Sequence, residues 1–180
     1  LLTHAADFYA SDLGQRLVVV ENASHMKDDA EAKREAGEAI IAGLVRIDSP
    51  RVALLRRLNE GSGSEDATIS AIHEVQVRFL MAAAGAGEIE LRMEEEALRE
   101  ALRTDEPQLR NRIRESALAS AAYTYQAFSD AEVTAYAEAL EHPKMQKVYE
   151  LLNAVQFEIT ANRYEAVAER LARLQPSQDL

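Results

Sequence analysis

The sequence predicts an all-α fold, a single irregular bundle of seven to nine helices, from three observations. Ala, Leu, Glu and Arg dominate a chain that is 47% hydrophobic, with four prolines and seven glycines in 180 residues. Such residues lose little side-chain freedom in a helix, and few residues here break one. Apolar side chains recur at three- and four-residue spacing through most of the chain. Ser or Asp followed by acidic first turns marks where helices begin. One domain over residues 1–180 is expected, with halves 1–60 and 105–175 joined by 61–104 and readable as two degenerate tandem helical units.

Taken in order, LLTHAADFY reads as the end of a helix, and a chain that opens on Leu1 rather than Met is expected to begin inside its gene product. Ser11 offers an N-cap with Asp12 in the first turn, and Leu13, Leu17 and Val20 share one face of the helix that follows. Lys27-Asp28-Asp29 marks a break or exposed turn. Ala32, Ala36, Ala39, Ile40, Gly43 and Leu44 keep helical spacing to about Arg46. Ser49-Pro50 restarts a helix, serine as N-cap and proline at the first helical position, where its missing N–H is not needed. Val52, Leu55 and Leu58 line that helix, which should end before the linker-like GSGSED. Ser62 with Glu65, or Ser64 alone, caps the next one, whose buried stripe is Ile69, Ile72, Val75, Phe79, Leu80 and Ala83.

AAAGAG at 82–87 should stop that helix, since glycine in a helix interior costs roughly 1 kcal/mol relative to alanine. A charged helix is expected over 88–103, with Glu88/Arg92 and Glu95/Arg99 paired four apart. Asp105 and Pro107 open another to about Ala127, with Leu109, Ile113, Ala117, Ala121 and Tyr125 on one face. Ser129-Asp130-Ala131-Glu132 is a capping box. A last long helix, from about Lys144 to Leu174, is expected to bury Val148, Leu151, Leu152, Val155, Ile159, Ala166, Val167 and Leu171. Residues 175–180 should fray.

Composition excludes several classes of function. The net charge is −11, and acids outnumber bases in every third of the chain: ten to eight, twelve to seven and nine to five. No segment can neutralise a row of phosphates, so nucleic acid is not an expected partner. The absence of cysteine removes disulfides, thiolate catalysis and Cys-based zinc sites. The apolar runs are too short to span a membrane, so no membrane insertion is expected.

Two stretches echo one another. A shift from Gln15 to Gln146 lays FYASDLGQRLVVVENASHM on ALEHPKMQKVYELLNAVQF. Asn22 then meets Asn153, Ala23 meets Ala154, and Leu17 and Val20 meet Val148 and Leu151. Ser11-Asp12 and His142-Pro143 both occupy the break before a helix. The pattern FSDAEVTAYAEALEHP resembles a bacterial family known as domain of unknown function 2059. Its members carry an acid-bearing cap, a Tyr- or Phe-containing helix and a Ser-Pro-x-Gly-type turn into a long helix. FYASDLGQRL is similar to the same turn, Gly14 included; the later copy has Met145 there. The resemblance implies a helical protein without assigned activity, periplasmic or secreted.

The four histidines, His4, His25, His73 and His142, form no zinc pattern. Glu21/His25 and Glu138/His142, each four apart, read as surface contacts, and Glu94-Glu95-Glu96 as a solvated face, because consecutive helical residues diverge. No metal, cofactor or catalytic residue is assigned, and the chain is not expected to be an enzyme. Seven of the ten aromatics follow residue 120. Tyr123, Phe128, Tyr136, Tyr149 and Phe157 are candidates to line a ligand cavity, against the commoner role of core residues with hydroxyls at the rim. The leading expectation is a non-catalytic envelope protein acting through a protein partner or self-association as a homodimer. Two alternatives stay open: a small-molecule binding module with an aromatic-lined cavity, and the effector-binding helical domain of a regulator.

Overall fold

The computed structural model describes residues 1–26, 29–63, 65–87 and 89–174, without the side chains of Glu169 and of residues 171–174. Among them are nine helices and no strand: α1 (Leu2–Tyr9), α2 (Asp12–His25), α3 (Ala30–Arg46), α4 (Arg51–Ser62), α5 (Glu65–Gly85), α6 (Glu95–Thr104), α7 (Glu106–Thr124), α8 (Asp130–Glu141) and α9 (Pro143–Leu174). The protein is therefore all-α. No helix among the described residues is long and apolar enough to cross a membrane. Lys27, Asp28, Ser64, Glu88 and residues 175–180, on which a break, a cap, an ion pair and fraying were expected, lie outside the described residues.

The chain forms two compact units, residues 1–64 with 111–150 and residues 65–110 with 151–180. Both copies of the internal echo up to Glu150 fall in the first. Its core joins Leu17 of α2, Leu55 and Leu58 of α4, Val133, Tyr136 and Leu140 of α8, and Met145 and Val148 of α9. Two glycines let helices approach closely. A Cβ on Gly61 of α4 would lie 2.9 Å from Leu140 Cβ, and one on Gly37 of α3 would overlap the Ala119 carbonyl oxygen of α7. Gly61 thus packs inside a helix, where the sequence had suggested a linker. On α3 Gly37 is buried, while Ala32 and Ala39, which share the helical spacing of that segment, are exposed.

Local chemistry fixes the helix starts. Ser11 Oγ accepts from Gly14 N at 3.1 Å, and Asp29 caps α3 by accepting from Ala32 N at 2.9 Å. At the head of α4, Ser49 Oγ accepts from Arg51 N at 3.3 Å. The Ser129–Glu132 capping box is complete. The turn into α9 repeats the turn into α2 with another side chain, since His142 Nδ1 accepts from Lys144 N at 3.2 Å.

In the second unit, Ile69, Val77 and Ala83 of α5, Leu98 of α6, and Ala161 and Ala168 of α9 are buried. The charged helix expected from residue 88 begins only at Glu95. Gly87, at φ +79°, ends the preceding turn. Glu94 is extended, which places three consecutive acids at a helix N-terminus, where the dipole favours them. Of the inward stripe expected on α9 only Val148 is buried among the described side chains. Leu151, Leu152, Val155, Ile159 and Val167 are exposed, Ala166 is exposed as well, and Leu171 is outside the described side chains.

Candidate functional sites

The most elaborate polar site lies in the first unit, where five segments bring four tyrosines to one carboxylate. Tyr125 OH donates to Glu21 Oε1 at 2.8 Å, and Tyr136 OH donates to the same oxygen at 2.9 Å. Having given its proton to Glu21, Tyr136 can only accept from Tyr9, at 3.2 Å, and Tyr149, at 3.3 Å. Tyr9 and Tyr149 also bond to each other. Two protons thus serve three oxygen–oxygen contacts, and every donor path ends on Glu21.

Each member is held by a feature already described. Tyr9 ends α1 just before the Ser11 cap, where Gln15 Nε2 donates to its carbonyl at 2.6 Å. Tyr125 sits in the turn after α7, which Arg51 secures by donating to the carbonyls of Tyr125 and Phe128, both at 2.8 Å, and by pairing with Asp130. The capping box sets Tyr136 on α8, and the His142-Pro143 turn sets Tyr149. Tyr136 is 3% exposed. Burial holds its phenol well above the ordinary value, with neighbouring Tyr149, Tyr125 and Glu21 pushing the same way. Burial raises Tyr9 and Tyr125 likewise, the Glu21 carboxylate adding to both. The cluster is a neutral, self-satisfied set of hydroxyls.

The five aromatic candidates do not share one place. Tyr136 and Tyr149 belong to the hydroxyl cluster. Phe128 is buried beneath the Arg16 guanidinium, 4.9 Å from the ring centre. Tyr123 is half-buried near the end of α7, and Phe157 is half-buried in the second unit. Tyr9, Tyr125 and Glu21 were not among the candidates. Glu21 had one legible signal: it stands four residues after buried Leu17, on the inward side of α2. It takes tyrosine protons where a contact with His25 had been expected. His142 stacks on His4, ring centres 4.1 Å apart.

The second unit holds an open cleft of about 690 Å³, lined by charged residues that include His73, Glu74, Arg99, Arg103, Glu106 and Arg110. Its arginines are committed to carboxylates. Arg110 pairs with Glu106, Asp66 and Glu65 at 2.6, 2.7 and 2.8 Å. Arg99 pairs with Glu95 and Glu74 at 2.7 and 2.9 Å, and Arg103 with Glu100 at 3.1 Å.

The same unit presents an apolar helix face. Toward the interior of the unit, α9 buries Ala161 and Ala168. From that side Tyr164 meets the edge of Phe79 of α5, ring centres 6.0 Å apart, and Arg78 of α5 pairs with Glu158 at 3.0 Å. At about 100° per residue, Leu152, Val155 and Ile159 point about 180° away from Phe157, Ala161 and Ala168. Leu152 is 58% exposed and Val155 59%. The helix therefore carries two opposed apolar faces, of which the unit itself covers one.

Residues 1–42 match the model of a family described as an uncharacterized protein conserved in bacteria (DUF2059). This is the family that the turn at Phe8–Leu17 resembles; the later copy, at 128–152, lies outside the matched span. No curated protein and no solved structure matches the chain.

Proposed function

We propose that this chain is a non-catalytic helical protein of the bacterial cell envelope that acts through protein–protein contacts, with the outward face of α9 as the contacting surface. The observation that carries the reading is the row Leu152, Val155 and Ile159, exposed on the side of α9 opposite its buried face, with exposed Leu151 beside it. A contiguous apolar row rimmed by polar residues marks an interaction site more often than scattered apolar residues do. The chemistry of the interior favours a scaffold: the buried hydroxyl cluster spends its donors on its own members and on Glu21. The envelope location rests on the resemblance to a bacterial family, which implies secretion.

Two measurements test the reading. The full gene product, epitope-tagged in its native bacterium, is expected in the periplasmic or secreted fraction; recovery in the cytosol alone refutes the location. A photo-crosslinking residue at Val155 is expected to capture protein in cells, and one at the buried Ala161 is not. Absence of any protein adduct at Val155 refutes the contact surface.

A further inference from the structure

The outward face of α9 has a register that identifies its occupant. Leu152, Val155, Ile159, Asn162 and Ala166 follow the alternating three- and four-residue spacing of a coiled-coil seam, with Leu152, Ile159 and Ala166 in the a positions and Val155 and Asn162 in the d positions. All five are exposed. The residues that flank such a seam are then Leu151, Glu158 and Glu165 before each a position, and Gln156, Arg163 and Arg170 after each d position. In a parallel, in-register pair, a flanking residue before an a position meets the partner's residue five places on. That rule sets Glu165 against Arg170 of a second copy, and Glu158, which Arg78 of its own unit already holds at 3.0 Å, against Arg163, opposite charges both times and twice over by symmetry. The stem of Gln156 falls beside Leu151. The charge balance fits as well: α9 carries five bases and four acids in a chain of net charge −11, so two copies of this helix repel each other far less than two copies of the average surface.

We infer that a second copy of this chain covers the outward face of α9, the two helices lying parallel and in register over Leu151–Arg170. The face points away from Phe157, Ala161 and Ala168, and at its edge Glu158 meets Arg78 of the same unit. Asn162 interrupts the seam, accepting from Arg78 Nη1 at 3.4 Å, so the pairing is short and concentration-dependent. The inference rests on the protein-contact reading above and narrows it to one partner.

The absence of cysteine makes the test direct. In separate variants, Leu152→Cys and Ile159→Cys are each expected to form a homotypic disulfide on mild oxidation. Ala154→Cys, which stands off the seam, should form none. Sedimentation equilibrium of the unmodified chain should rise from 19.9 kDa toward twice that mass with concentration. Glu165→Arg sets like charges against each other and should weaken association about tenfold, and adding Arg170→Glu should restore it. Circular dichroism checks that each variant folds, as expected for exposed positions. A bond that forms only between Leu152→Cys and Ile159→Cys when the two are mixed would mean antiparallel helices and overturns the inference. So does a chain that stays monomeric at every concentration. If photo-crosslinking at Val155 then captures only a different protein, the contact reading stands and self-pairing falls; if it captures none, both fall.

Discussion

Replacing Tyr136 by phenylalanine removes one oxygen from the middle of the hydroxyl cluster, and the effect should reverse with pH. At neutral pH the variant loses the donor to Glu21 and the acceptor for Tyr9 and Tyr149. Unsatisfied buried partners of this kind cost about 1–3 kcal/mol; we take 2 as a working value. Above pH 10 the sign of a second effect opposes the first. An unfolded tyrosine ionises near pH 10, whereas folded Tyr136 is held well above that by burial. Its contribution to stability is therefore complete below pH 10 and is lost as pH rises, by about 1.4 kcal/mol per unit. The phenylalanine variant does not incur that loss. The gap between the two proteins should narrow above pH 10 and close near pH 11.5, where about 1.5 units of linkage offset about 2 kcal/mol. Urea unfolding followed by circular dichroism at pH 8, 10, 11 and 11.5 measures it. Two stability curves that stay parallel across that range would show that the Tyr136 hydroxyl titrates as it does in water, and the reasoning about the cluster would be wrong.

Three further outcomes are expected. Gly37→Ala drives a methyl into the Ala119 carbonyl and should cost about 1–3 kcal/mol in thermal unfolding, whereas Gly43→Ala, on the same helix with nothing within 4 Å, should stabilise by about 0.5–1 kcal/mol. Arg51→Lys should destabilise by about 2 kcal/mol in urea unfolding, because a single ammonium cannot reach two carbonyls and Asp130 together. Glu132 is held down to about 2 by the Ser129 backbone amide, then by Arg16 and the Ser129 hydroxyl; its contribution is complete above the ordinary carboxylate value and is lost as pH falls through about 2. Glu132→Gln should therefore flatten the decline in stability between pH 4.5 and 2, read by acid titration of the circular dichroism signal.

Helix existence was legible because caps and breakers act locally. Ser11, Ser129 and the glycines at 85 and 87 work within four residues of themselves, and the helices begin and end beside them. What lay between distant segments was not. Nothing near Glu21 in sequence announces that its partners stand at 125 and 136; only the fold joins α2 to α8. The five aromatic candidates cluster along the chain, and proximity in sequence does not place rings on one wall. Gly61 misled for a related reason: a glycine that allows Leu140 to approach looks the same in sequence as a glycine in a linker.

In α9 the larger apolar residues lie on the side away from its unit. A 3.6-residue period shows that an apolar stripe exists, not which neighbour covers it. Here the stripe that packs within the unit is made of small residues around Phe157, while the larger aliphatic residues Leu151, Leu152, Val155 and Ile159 face outward. Fully covering a Leu, Val or Ile side chain stabilises by about 1.5–3 kcal/mol, far more than covering an alanine methyl. These four residues keep 41–59% of their surface exposed, so a large share of the apolar free energy of this part of α9 is left for association to realise. Since a partner that binds only the folded chain stabilises it by mass action, the melting temperature of the unmodified protein should rise with its own concentration. That of a Leu152→Asp, Val155→Asp variant should not. A concentration-independent melting temperature for the unmodified chain would mean that the outward face of α9 meets nothing of its own kind.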